Sequence, residues 1–233
     1  MAIDMSNVKQ IMHNNKEVIK IEDSNGNIIW GSQSAFPYRR LEYIHFNGAE
    51  HIHTTYNPYN QMKWELTFKM DSATDGYSGA TGSSADYHCT IGSSANGNVG
   101  GWFLGAFREY SAYPSTNKNT VILDRYKGKV WINNNLVFTG TAKYGSTSTR
   151  GMDFGARIDN SGNLGYYMKG NIYNSKISNA GTLVAEYIPA QRKSDGVCGL
   201  YRPSNSTFYP MSGTDTTTNA AGPVVEENWD PTV

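Results

Sequence analysis

Cysteine is scarce: Cys89 and Cys198 are the only two in 233 residues, with no CxxC spacing and no histidine pair beside either. Neither a zinc site nor a disulfide scaffold is written into such a chain. The two thiols read as small buried hydrophobes, with a single bridge between them as the lesser alternative. Charge is scarce as well. Charged residues make 17% of the chain, and 20 Lys and Arg cancel 20 Asp and Glu. That leaves no field to hold a phosphate backbone or an anionic membrane surface, so no nucleic-acid partner is expected. Long apolar runs are missing: nothing approaches the roughly 20 residues of a membrane span. Asp4, Lys9, Lys16, Glu17, Lys20, Glu22 and Asp23 interrupt the first thirty residues, where a secretory signal would place its apolar core. The expectation is a soluble chain with no membrane contact that does not leave the cell by the usual route. Apart from a weak pattern before Lys16 there is no 3.6-residue period, which excludes a helical bundle.

What the chain has instead is turn formers and rings. Its 24 Gly and 8 Pro accompany 16 Tyr, 8 Phe and 5 Trp, the pairing of many short strands joined by tight turns. Met62, Trp64, Leu66, Phe68 and Met70 alternate with Lys63, Glu65, Thr67 and Lys69, so one face of this strand is buried and the other wet. Further strands are expected at 41–46, 50–55, 87–92, 101–107, 120–126, 129–132, 136–139, 152–158, 170–178 and 182–188. Pro189 is expected to end the last of these, because proline cannot donate to a ladder. About a dozen strands at this spacing predict an antiparallel sandwich. Residues 16–30 read as a hairpin about Asp23-Ser24-Asn25-Gly26, carrying Val18, Ile19, Ile21, Ile28, Ile29 and Trp30. A hairpin of that size is marginal alone, so it packs on the main domain or docks on another protein. Three parts result: an attachment segment over 1–34, a sandwich over 35–213, and an extended tail over 214–233 whose Val224, Val225 and Trp229 suggest that it rests on something.

Three ordered blocks carry a resemblance. LEYIHFNGAEHIHTTYNPYNQMKWELTFKM, DRYKGKVWINNNLVFTGTAKYGSTSTRGMDFGARIDNSG and LVAEYIPAQRKSDGVCGLYRPSNSTFYPMSGT span about Leu41 to Thr214. Together they resemble the laminin-G-like, concanavalin-A-like domains of bacteriophage virion proteins. The chain departs from that pattern at His51-Ile52-His53-Thr54 and at Ala185-Glu186. The resemblance implies an all-β, antiparallel jelly-roll sandwich in a tail fibre, head fibre, spike or capsid decoration subunit. It also implies a virion location, reached from the host bacterial cytoplasm by lysis. The expected partners are other virion proteins, further copies of the chain in a homotrimer, and a bacterial surface glycan bound for host attachment. A ligand-free decoration protein is the alternative reading.

Chemistry is thinly represented. Glucanases of that fold place an acid and a nucleophile on one strand about 5 Å apart, and no strand here carries such a pair; no nucleophile elbow accompanies His88 either. The chain is therefore read as a non-enzyme, with a glycan hydrolase as the lesser reading. His51 and His53 share a strand face, but an i, i+2 pair without further ligands reads as packing rather than a metal site. Calcium is the more plausible ion, since Asp71, Asp75, Asp86 and Asp159 sit in loops, although Asp in turns is also ordinary turn chemistry. The candidate ligand residues are the rings in or beside predicted loops: Tyr77, Tyr110, Tyr113, Tyr144, Tyr166 and Tyr167, with Trp102 beside them. A flat ring there stacks on a sugar face, or simply packs. Trp64 and Trp131 are assigned to the core, and Trp102 is open between core and site.

Overall fold

In the computed structural model the described residues are the strands within 12–31, then 36–57, 61–74, 76–80, 88–103, 105–142, 151–159, 161–227, 229 and 231. Near the start, β1 (Met12–His13) pairs with β2 (Lys16–Glu17), and β3 (Lys20–Glu22) with β4 (Ile28–Gly31) in an antiparallel ladder that sets Ile21 opposite Trp30. The central run holds β5 (Tyr38–Leu41), β6 (Ile44–Asn47), β7 (Ile52–His53), β8 (Met62–Met70), β9 (Gly76–Ala80), β10 (Cys89–Ser93), β11 (Asn98–Phe103) and β12 (Ala106–Pro114). After these come β13 (Asn119–Asp124), β14 (Lys129–Ile132), β15 (Asn135–Thr139), β16 (Asp153–Phe154), β17 (Arg157–Ile158) and β18 (Leu164–Gly165). The chain closes with β19 (Lys169–Asn179), β20 (Thr182–Arg192), β21 (Cys198–Arg202), β22 (Thr207–Pro210) and β23 (Val224–Glu226).

These strands build a β-sandwich of two large sheets, antiparallel except where β17 runs parallel to β9. The eleven-stranded sheet runs β15-β14-β13-β8-β19-β20-β21-β22, with β6 on β19, β5 on β20 and β23 on β5. The eight-stranded sheet runs β12-β11-β10-β9-β16-β7, with β17 on β9 and β18 on β17. Strand β8 shows why they close on each other: Met62, Trp64, Leu66, Phe68 and Met70 are all fully buried and meet Ile91, Val99, Phe103 and Phe154 of the facing sheet in one core. The period of two seen in its sequence is the period of the pleat.

Several strands depart from expectation, each for a local reason. The run 101–107 is two strands, β11 and β12, paired as a hairpin with Trp102 opposite Phe107. The run 152–158 breaks into β16 and β17 at Gly155, whose φ of +80° a residue with a side chain adopts only under strain. Strand β20 passes through Pro189 to Arg192. It pairs with β19 only as far as Tyr187 and with β5 only from Ala190, so the missing N–H falls where the strand changes partner. Trp131 is not in the core: Val130 and Ile132 point inward and are fully buried, which turns Trp131 to the outer face, half-buried.

A second cluster lies on the outer face of the larger sheet. Tyr201 alternates with the core residue Leu200, and packs with Ala190, Phe36, Tyr38, Phe208 and Trp229. Trp229 is 4% exposed, edge-on to Phe36 and Tyr201 at ring separations of 5.4 and 5.3 Å. The two cysteines are free and buried, and burial pushes both thiols up to about 12.

Candidate functional site

On the eight-stranded sheet, Ile91, Val99 and Phe103 turn to the core, so by alternation Gly92, Gly100 and Trp102 turn away from it. Two adjacent rows cross this outer face. In one, Glu109 pairs with Gly100, Gly100 with Gly92, and Gly92 with Tyr77. In the other, Phe107 pairs with Trp102, and further along Thr90 pairs with Gly79 and Gly79 with Arg157. The glycines leave the middle of the face bare. A side chain is barred at Gly92, where a Cβ would collide with the Gly76 carbonyl, and at Gly79, which holds φ +125° against the Cys89 carbonyl.

Around this bare floor stands a cleft of about 320 Å3, lined by Tyr77, Trp102, Phe107 and Tyr166 as rings and Asn96, Glu109 and Arg157 as polar groups. Phe107 and Tyr166 are 39% and 47% exposed, high for large rings. Neighbouring rings brace them: Tyr77 meets Phe107 edge-on at 6.3 Å, and Trp102 meets Phe107 at 5.8 Å. Tyr166 is placed by the hairpin of β17 and β18. Asp159 closes its turn by accepting from the Asn163 backbone N–H and side-chain amide and from the Ser161 backbone N–H, contacts that hold its carboxyl below the ordinary range. Beyond the hairpin Tyr166 takes φ +54°, its carbonyl accepts from the Tyr77 N–H at 2.9 Å, and the Arg157 guanidinium lies 4.1 Å over its ring. A tyrosine in left-handed backbone, fixed at both ends yet open to solvent, is strain of the kind that gathers at ligand sites.

The polar groups differ in how far the protein satisfies them. Glu109 accepts from the Asn98 and Asn96 amides at 2.6 and 3.0 Å, and these bonds lower its pKa, so it stands as a fixed anion. Among the described residues Arg157 forms no ion pair, and its Nε is shielded from water with no acceptor.

Of the expected ligand tyrosines, the structure brings Tyr77 and Tyr166 together in the cleft. Tyr110 and Tyr113 lie on strand β12 and pack against the core; Tyr110 stacks on Phe103 at an interplanar angle of 10°, and burial pushes its hydroxyl up to about 12. Tyr167 is half-buried beside Tyr166 without lining the cleft, and Tyr144 lies outside the described residues. Of the expected attachment residues, Ile21, Ile28, Ile29 and Trp30 fall on β3 and β4, and Val18 is outside the described residues. The sequence reading missed Phe107, Glu109, Asn96 and Arg157. A signal existed in the glycines at 79, 92 and 100 inside strands, which mark a face kept free of side chains.

A second, shallower groove of about 440 Å3 lies by β7 and β16, lined in part by His51, His53 and Asp153. Asp153 is fully buried; its Oδ2 meets Nδ1 of the half-exposed His53 at 3.0 Å, and its Oδ1 has no partner. Burial outweighs the histidine and raises the Asp153 pKa above its ordinary 3.8. Between 3.8 and that raised value the folded chain binds more protons than the unfolded one, so this group's contribution to stability falls as pH rises, then levels off. Asp153→Asn, neutral throughout, should therefore gain on the parent with rising pH, read by urea unfolding from pH 3 to 8. A difference that is flat, or that favours the parent as pH rises, would contradict the burial argument. Among the described residues no three His, Cys, Asp or Glu converge to hold a metal ion. Asp71 instead lies 3.6 Å from His45, and Asp75 and Asp86 lie outside the described residues.

The protein is thus an all-β sandwich with a ring-walled cleft on the outer face of its smaller sheet. The chain matches no family model and no curated protein sequence.

Proposed function

We propose that this chain is the glycan-binding sandwich of a bacteriophage particle, a fibre, spike or capsid decoration subunit that holds a bacterial surface saccharide in the cleft of Trp102, Phe107 and Tyr166. The cleft carries the reading. Braced, solvent-open rings over a floor of glycines suit a flat, hydroxyl-bearing ligand: the rings stack on the sugar face, while Asn96 and the fixed Glu109 carboxylate bond its hydroxyls. The jelly-roll connectivity and the virion setting rest on the three-block sequence resemblance. In this reading β3 and β4 belong to the segment that attaches the subunit to the particle, and copies assemble as a trimer, which multiplies a weak single-site affinity. Binding without cleavage is favoured because Glu109 is the one carboxylate among the described residues lining the cleft, and glycoside hydrolysis takes two.

The test separates binding from folding. Phe107→Ala with Tyr166→Ala should weaken binding to bacterial cells or their isolated wall polysaccharide at least about tenfold, equivalent to ~1.4 kcal/mol, with the melting temperature nearly unchanged because both rings are exposed. Tyr110→Ala should do the reverse, lowering the melting temperature and sparing binding, since its ring packs on Phe103. Undiminished binding by the double variant would remove the site from this cleft.

A further inference from the structure

Resting on that reading of the cleft, we infer that its saccharide is acidic, and that Arg157 takes the acid group. Cleft charge is unevenly satisfied. The carboxylate of Glu109 already receives one amide on each oxygen, from Asn98 and from Asn96. The guanidinium of Arg157 is not matched in that way: among the described residues it forms no ion pair, and its Nε is buried with no acceptor to donate to. A guanidinium nitrogen shielded from water and left without an acceptor is costly, and a site keeps such a group where a ligand supplies the missing acceptor.

The geometry fits this use. Arg157 is anchored on two sides, by its pairing with Gly79 and Gly165 and by the Tyr166 ring 4.1 Å beneath its guanidinium. Its central carbon is held over the ring, which leaves the terminal nitrogens to meet a planar carboxylate, or two oxygens of a phosphate, as a fork. The ring that orients the fork is also the most exposed ring of the cleft. A sugar stacked on Tyr166 therefore brings a substituent within reach of the guanidinium. Glu109 stands at the far end, on β12, four strands across the sheet from β17. At about 4.8 Å per strand the two backbones stand roughly 19 Å apart, with the cleft between their side chains. The separation polarises the cleft: the acid-bearing residue of the saccharide sits at Arg157, and a hydroxyl-rich, uncharged residue sits at Glu109, which would repel a second acid. The ligand is an oligosaccharide with acid and neutral residues in a fixed order, such as a uronic acid or a sugar phosphate joined to neutral hexoses.

The experiment uses the whole chain on an immobilised panel of bacterial oligosaccharides in three groups: uronic-acid-containing, phosphate-containing and neutral. Each uronic member is also presented after its carboxyls are reduced to alcohols. Acidic members should be retained and neutral ones not, and carboxyl reduction should cost at least tenfold in affinity. Arg157→Gln should reproduce that loss on the untreated ligand and show no further loss on the reduced one. Retention of uronic or of phosphate members identifies which acid is read. Because reduction alters the ligand, it tests the inference even if Arg157→Gln folds poorly. Equal binding of reduced and untreated ligand, or a preference for neutral members, would overturn the acid assignment while leaving the cleft a glycan site. Retention of no member would overturn both.

Discussion

Trp64→Ala is expected to lower the melting temperature by about 6–20 °C. Trp64 is fully buried on the strictly alternating strand β8 of the larger sheet, edge-on to Phe154 of the opposite sheet at 6.3 Å, so it spans the sandwich. Truncation to Ala removes a ring no rearrangement can replace in a packed interior, at about 3–5 kcal/mol. It also takes away the Nε1–H that donates to the buried Ser175 hydroxyl at 2.9 Å, leaving that oxygen one partner short. In a domain of this size each kcal/mol moves the transition by about 2–4 °C. Trp131→Ala is the internal control. The same residue type on the same sheet, turned outward, should cost about 1 kcal/mol. Thermal unfolding followed by circular dichroism reads both, and equal losses would mean that the assignment of faces is wrong.

The contrast between these two tryptophans shows what the sequence carries. In 62–70 apolar and polar residues alternate strictly, and that pattern fixes which side is in. Around Trp131 the run is Val-Trp-Ile, three apolar residues in a row, which contains no parity; size alone points the tryptophan inward, and the hairpin register sets the opposite. The site was half legible for a related reason. Tyr166 follows a turn and stands out as an exposed ring beside a loop. The other rings and charges lie on neighbouring strands whose juxtaposition is a matter of sheet order, which no single segment encodes. Strand β12, AFREYSAYP, is half-buried along most of its length and shows no alternation, so the inward Tyr110 and the outward Phe107 and Glu109 look alike in sequence. The cleft also depends on Arg157 arriving on the one parallel strand, beside Gly79, a pairing made by residues 78 positions apart.

The tail is the clearest case of structure without sequence period, and removing it is expected to have the largest effect of all. A chain ending at residue 213 should fail to fold, or melt well below even Trp64→Ala. Beyond Gly213 the backbone is held at intervals: the Thr216 carbonyl accepts from the buried Cys198 N–H at 2.7 Å, that of Ala220 from His45 at 2.9 Å, and that of Pro223 from Glu42 at 2.9 Å. These contacts repeat at no fixed spacing, which is why no pattern announces them. Glu50 makes the dependence sharper. Its carboxylate is fully buried, and besides the Asn47 N–H it accepts from the Thr214 hydroxyl at 3.0 Å and the Asp215 N–H at 3.2 Å. Truncation strips two of these donors and leaves a buried charge with too few partners, a heavier loss than the hydrogen bonds themselves. Trp229 adds about 3–5 kcal/mol by sealing the outer cluster over Tyr201, whereas the exposed pairs Arg39–Glu227 and Arg40–Glu226 add little. Trp229→Ala in the full chain separates the contributions: it should unfold at a temperature between the parent and the truncated chain, because the bonds to Cys198, His45 and Glu50 remain. Should the chain ending at 213 melt with the parent, the tail would be a passenger on the sandwich, and Glu50 would have to find its donors elsewhere.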